Sequence, residues 1–164
     1  MTFAARSASP DDAPILAQIY NEGIEDRVGT FETRPRAVQD VAAWFDGIHP
    51  IIVVERDGEV VAFASTSSYR SRECYAGIAE FSVYVAREAR GQGAGTVAMR
   101  ALLDAVKSAG IWKLVSRIFV ENHASRRLMA SMGFREVGIY EKHAKLDGQW
   151  RDVVIVERLI PDNL

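Results

Sequence analysis

Apolar residues recur at different spacings along the chain, and each spacing predicts a different kind of element. Ile15, Leu16, Ile19 and Tyr20 fall on one face at helical period, as do Met99, Leu102, Leu103 and Val106. The first of these helices opens on Ser9-Pro10-Asp11-Asp12, with Ser9 as N-cap, proline at the first helical position and acids in the first turn. It ends near Asn21 to Gly23, and the later one ends at Gly110. Val38 to Phe45 reads as a second short helix, stopped by Gly47 and Pro50, and Ala124 to Met132 as another, closed by Gly133. Continuous apolar runs at 51–56 and 59–64 flank Asp57-Gly58, the signature of a β-hairpin. Thr2 to Ser7, Phe81 to Val85, Lys113 to Val120, Phe134 to Lys145 and Trp150 to Leu159 supply further strands. The last two are joined by Asp147-Gly148, while 25–33 and 65–76 are polar loops. The resulting order, β-α-α-β-β-β-α-β-α-β-β, predicts a mixed α/β sheet. It lacks the βαβαβ doubling of a doubly wound nucleotide fold.

Composition narrows the picture only modestly. The 164 residues make one domain, enough to bury about two thirds of the unfolded surface. Hydrophobic residues at 48% and charged residues at 26% are ordinary for a globular chain. No apolar run approaches the roughly 18 residues of a membrane span, and the opening Met-Thr-Phe-Ala-Ala-Arg lacks the layout of a signal peptide. A single cysteine, Cys74, excludes an intrachain disulfide and fits a reducing compartment. A net charge of −2 gives no nucleic-acid footprint. The expectation is a cytoplasmic domain with no membrane or nucleic-acid partner.

The chemistry concentrates between Glu80 and Thr96. A β-branched and aromatic strand, Phe81-Ser82-Val83-Tyr84-Val85, leads through Arg90-Gly91-Gln92-Gly93-Ala94-Gly95 into the helix carrying Met99. Glycines let the backbone turn sharply and let an anion approach, and the first helical amides lack acceptors at the positive end of the dipole. Such a turn is a ready phosphate site, although a glycine-rich turn with no ligand has the same pattern. A dinucleotide fingerprint is excluded because Thr96 stands where the third glycine belongs, and a P-loop is excluded because no lysine follows. Glu80 is the other informative residue. In a strand it either faces solvent or opens into a cleft, and burial against apolar neighbours makes a carboxyl a better proton acceptor near neutral pH.

The loop Arg-x-x-Gly-x-Gly after a strand ending Val83-Tyr84-Val85 resembles the acetyl-CoA signature of the GCN5-related N-acetyltransferase (GNAT) superfamily. The element order matches that family over nearly the whole chain. The resemblance implies an α/β (α+β) single-domain GNAT fold: a mixed central sheet with a splayed strand pair and about four helices. It implies that Arg90, Gly91, Gln92, Gly93, Ala94, Gly95 and Thr96 bind the CoA pyrophosphate. Backbone groups of Val83, Tyr84 and Val85 would bind pantetheine where their strand parts from the one at 113–120, although both valines are equally suited to a core. Asn122-His123-Ala124-Ser125 begins the second family motif, Asn-x-x-Ser-x-x-Leu, placing Asn122 and Ser125 at the pantetheine or the substrate, alongside a plain role as helix cap. Met129 departs from the tyrosine or histidine of many relatives, so no side-chain acid for the leaving thiolate is identified.

Within the family, Glu80-Phe81-Ser82-Val83-Tyr84-Val85 resembles the phosphinothricin acetyltransferase branch, where the matching glutamate is the general base. With the tail at 141–152, the chain is most similar to the subgroup acting on arsinothricin. Arg72 and Tyr75, with Arg70 just before them, match that branch's Arg-x-x-Tyr loop, and an arginine fork suits carboxylate, phosphinate or arsonate oxygens. Loop arginines are also commonly solvated surface charges. Phe31 matches the substrate loop, and Lys145, Trp150 and Asp152 match a tail pattern suited to pocket closure or dimer packing. His49, His123 and His143 lack metal-ligand spacing, so no metal is expected. Cys74 has no partner histidine and reads as a small loop residue.

The function implied is transfer of acetyl from acetyl-CoA to the α-amine of a small amino-acid analogue by a homodimeric enzyme. Acetylation of a peptide N-terminus and a non-catalytic acyl-CoA sensor are the alternatives.

Overall fold

In the computed structural model, which describes residues 2–164, seven strands form one sheet in the order β1-β2-β3-β4-β5-β7-β6. The strands are β1 (Phe3–Ser7), β2 (Ile51–Arg56), β3 (Glu59–Ser68), β4 (Ile78–Val85), β5 (Lys113–Phe119), β6 (Arg135–Leu146) and β7 (Gln149–Leu159). The helices are α1 (Ala13–Glu25), α2 (Val38–Ala42), α3 (Ala94–Ser108) and α4 (His123–Ser131). Neighbouring strands run antiparallel except β4 and β5, which are parallel. This is the mixed sheet and helix complement anticipated above.

Side chains alternate across β4, and that alternation sets the layers. Tyr84 meets Tyr20 of α1 with ring centroids 5.0 Å apart. Val85 faces the start of α3, where a Cβ on Gly95 would lie 3.8 Å from it. α1 and α3 therefore cover opposite faces, and Leu16, Ile19, Phe63, Met99, Leu102 and Leu114 are buried between the layers. A smaller cluster of Phe119, Leu146 and Val153, with Phe31 against it, lies on the β5–β7 side.

Local starts and stops differ from expectation for identifiable reasons. Ser9 contributes no capping side chain; Asp12 accepts from the Ser9 amide at 2.8 Å, and Arg6 holds that carboxylate with two bonds of 2.9 Å. Those Arg6 bonds depress the Asp12 pKa. α2 is shorter than the expected 38–45 because its C-terminal turn tightens, the Trp44 and Phe45 amides bonding to Val41 and Ala42. β3 runs on past Ala64 to Ser68 because Ser65 to Ser68 pair with Ser82 to Ala79. Backbone pairing thus extends a strand where the side chains alone read as loop.

Candidate active site

The parallel pair β4–β5 determines the site. Their register holds from Ile78↔Lys113 to Glu80↔Val115 and stops there, although β4 continues to Val85 and β5 to Phe119. Ser116 Oγ donates to the Phe81 carbonyl at 2.9 Å, so a side chain closes the last rung before the strands part. Beyond it opens a cleft of about 390 Å³ that runs between the strands to the glycine turn. This is the splayed pair that the family resemblance implied, with Val83, Tyr84 and Val85 along one wall and Asn122 and Ser125 along the other.

The glycine turn closes the far end. Gly91 and Gly93 have φ of +75° and +95°, a left-handed backbone that glycine adopts without strain. A Cβ on either would meet nothing within 4 Å. The amides opening α3 have no intrahelical acceptor until Val97, which bonds to the Gly93 carbonyl. Arg90, Gly91, Gly93, Gly95 and Thr96 line the cleft here. Gln92 and Ala94 do not: Gln92 accepts from Arg56 at 3.1 Å, and Ala94 is buried. Arg90 is engaged by Asp26 at 2.7 Å, which ties the turn to the end of α1. Hydrogen bonds from Arg87, then Arg90, bring the Asp26 carboxyl down to about 2. Open space before free helix amides on a positive-φ turn fits a diphosphate.

A second cavity, of about 350 Å³, adjoins the first and shares Phe81, Ser82, Ser116, Arg117 and Phe119 with it. Glu80 lines it, half-buried, its Oε1 accepting from Arg117 Nη2 at 2.8 Å. A guanidinium thus stands where apolar neighbours alone were expected. Phe31 forms another wall, edge-on to Phe119 with centroids 5.0 Å apart. Tyr84 backs both cavities, but burial pushes its phenol up and makes it a poor proton donor.

Arg70, Arg72, Tyr75 and Lys145 line neither cavity. Arg70 lies over the Tyr69 ring at 4.9 Å, and Lys145 lies over Trp150 at the same distance. The loop carrying Arg70, Arg72 and Tyr75 nevertheless leaves β3 just beyond Ser67, a residue of the second cavity, and returns just before Glu80, whereas Lys145 belongs to β6. Arg117 and His143 are site residues that sequence reasoning did not single out. A signal for Arg117 existed: it is a lone charge inside an apolar strand, as Glu80 is in the strand beside it. His143 sits on a β6 bulge between Tyr140 and Ala144, where Lys142 has φ +48° and donates its amide to Asp152 at 2.7 Å. Asp152 of the tail motif thereby shapes the cavity wall. Among the described residues no cluster of histidine, cysteine and acids could hold a metal ion, and no helix is long and apolar enough to cross a membrane.

Comparison with known proteins agrees with this geometry. The sequence model of the acetyltransferase (GNAT) family matches residues 16–134. A phosphinothricin N-acetyltransferase of Streptomyces coelicolor is 31% identical over 93% of this chain and 94% of its own. A phosphinothricin acetyltransferase from Sinorhizobium meliloti, solved in complex with acetyl-CoA, superposes with a TM-score of 0.90 at 27% identity, covering 97% of this chain and 89% of that one. A ribosomal-protein-alanine N-acetyltransferase from Brucella melitensis gives the same TM-score at 29% identity, covering 95% and 99%. With the parted strands, the glycine turn and relatives matched along nearly their full length, the chain belongs to the acetyltransferase (GNAT) family.

Proposed function

We propose that this protein is an acetyl-CoA-dependent N-acetyltransferase acting on the α-amino group of a small amino-acid analogue of the phosphinothricin, arsinothricin or methionine sulfoximine type. The observation that carries the reading is the junction of the two cavities. A slot between parted strands leads from a diphosphate-suited turn directly to a compact polar chamber containing Glu80. Amides of the 91–96 turn hold the pyrophosphate, and main-chain groups of Val83 to Val85 hold pantetheine as an added strand would be held. Acetyl-CoA, when bound, supplies an acetyl thioester. Glu80 accepts the proton that the substrate ammonium must lose before its nitrogen can attack. Phe31 covers the amino-acid side chain, and the loop carrying Arg70, Arg72 and Tyr75 offers cations at the rim for a side-chain oxyanion. Transfer is direct, since Cys74 is exposed and lines neither cavity.

Two copies pair as a homodimer in this reading. Val137, Ile139, Tyr140 and Trp150 are large apolar side chains left exposed on β6 and β7, which supports it. Cys74 as an exposed free thiol fits a cytoplasmic setting.

Acetylation of a protein N-terminus is the second reading, favoured by the likeness to the Brucella enzyme. The test is CoA-thiol release from acetyl-CoA with a panel of free amino acids, these analogues and N-terminal peptides. Release with the analogues and not with peptides is expected. Release with peptides alone selects the second reading, and none with any amine leaves an acyl-CoA sensor.

A further inference from the structure

The second cavity contains one carboxylate and one guanidinium in direct contact, and the proposed proton transfer uses only the carboxylate. Arg117 uses one donor, Nη2, on Glu80 at 2.8 Å. Its remaining donors have no protein partner among the described residues. The pair is substantially exposed, so it contributes little to holding the fold. Among the described residues Arg117 is also the one arginine or lysine lining that cavity, since Arg70, Arg72 and Lys145 stand outside it. Arg90 is some way along the other cleft and is held by Asp26.

Resting on the function proposed above, we infer that Arg117 is the receptor for the α-carboxylate of the substrate, and that Glu80 and Arg117 together read the zwitterionic head of a free amino acid. The stereochemistry of the substrate leads there. Its amino and carboxyl groups share one carbon, so a nitrogen placed at Glu80 brings a carboxylate within a few ångströms of the same side chain. Two anions at that separation repel unless a cation lies beside them. Arg117 is that cation, already in hydrogen-bonding contact with Glu80, and its planar fork can grip both carboxylate oxygens. The side-chain end of the substrate then points away from the pair, towards Phe31 and the rim. The assignment also predicts selectivity for amino acids over simple amines: an amine without an adjacent carboxylate leaves the Arg117 donors unsatisfied.

The test compares each accepted amino acid with its own α-carboxamide, in the wild-type protein and in Arg117→Gln and Arg117→Lys. Turnover is followed by thiol release and binding by calorimetry in the presence of CoA. Wild type is expected to favour the acid over the amide by roughly 10–100-fold in kcat/KM, the range of a hydrogen bond to a charged group. R117Q should lower the rate with the acid far more than the rate with the amide, shrinking the preference to about threefold or less. R117K should restore part of it. A residue that merely positioned Glu80 would slow acid and amide alike, so an undiminished preference in R117Q overturns the inference while leaving the acetyltransferase standing. A wild-type protein that cannot tell acid from amide overturns it too, without any variant. Amino-acid binding that R117Q abolishes, with no thiol release from wild type, supports Arg117 and refutes the proposed reaction. Neither binding nor release refutes both.

Discussion

Asn122 joins segments far apart in sequence: its Nδ2 donates to the Val28 carbonyl at 3.0 Å, while its Oδ1 accepts from the Ser125 amide at 3.2 Å. One amide group therefore caps α4 and pins the segment leading to Phe31 over the cleft. Asn122→Ala forfeits about 1 kcal/mol of capping and about 1 kcal/mol for the second bond. Thermal unfolding should shift down by roughly 4–8 °C, at about 2–4 °C per kcal/mol for a chain of this size. Asn122→Asp keeps the cap acceptor and loses the donor, so it should recover much of the stability while still raising KM for the amine. A variant in which both properties recover together would separate Phe31 from this contact.

Gly77 precedes β4, and a Cβ there would lie 1.9 Å from the Trp112 ring. The Trp112 amide also bonds to the Gly77 carbonyl at 2.8 Å, so backbone and ring are fixed against the same residue. Gly77→Ala should destabilise by about 1–3 kcal/mol through overpacking and shift Trp112 fluorescence. In a Trp112→Leu background the same substitution should cost much less, since the two residues share one contact. Equal costs in both backgrounds would place the strain elsewhere.

The Asp26 carboxyl, held at about 2 by Arg87 and Arg90, gives an acid-dependent tie between α1 and the glycine turn. Its pKa is depressed in the fold, so the stability it contributes is fully present above the ordinary carboxylate value near 4. That contribution is lost as pH falls from about 4 towards 2. Asp26→Asn should lower stability at neutral pH and lose less on acidification, making the unfolding midpoint less steep with pH across that window. Parallel pH curves for the two proteins would show that the pair does not act through Asp26 ionisation.

Much of this was legible in the sequence, and the exceptions share a cause. The hairpin at Asp57-Gly58, the α3 face of Met99, Leu102 and Val106, and the glycine turn all announce themselves within a few residues, because turn chemistry and helical period are local. The parting of β4 from β5 was available only through family resemblance, since no spacing in either strand encodes where pairing stops. Ser65 to Ser68 become strand through a partner supplied elsewhere in the chain. Arg117 enters the site because Glu80↔Val115 registers the two strands, a relation carried by neither strand alone. Gln92 matched its motif and still turns to Arg56, because a pattern fixes the backbone of a turn more firmly than its side chains.

The bulge that carries His143 places Lys142 at φ +48°, a conformation costing a non-glycine residue roughly 1–2 kcal/mol. Asp152 offsets that cost by accepting the Lys142 amide. Asp152→Ala should therefore relax the bulge and raise KM for the amine with little change in KM for acetyl-CoA. Adding Lys142→Gly, which removes the backbone penalty, should restore the amine KM at least in part. Failure of the second substitution to help would mean that Asp152 acts by some route other than this turn.

Glu80 and Arg117 make opposite predictions for one substitution, and that opposition separates a base from a mere binding group. Glu80→Gln keeps the shape of the side chain and removes its basicity, so kcat should fall by ~10²–10⁴, the usual contribution of a positioned general base. The same change removes the counter-charge that Arg117 holds at 2.8 Å in the free protein. A substrate carboxylate then meets an uncompensated guanidinium, so KM for an acidic substrate should stay level or fall. If Glu80 served only to hold the ammonium, KM would rise and kcat would change little. Calorimetry should find acetyl-CoA affinity unchanged in E80Q, because the turn at 91–96 lies at the other end of the cleft. Near-normal turnover in E80Q would remove Glu80 from proton transfer and pass that task to another group of the cavity, of which His143 is the remaining candidate.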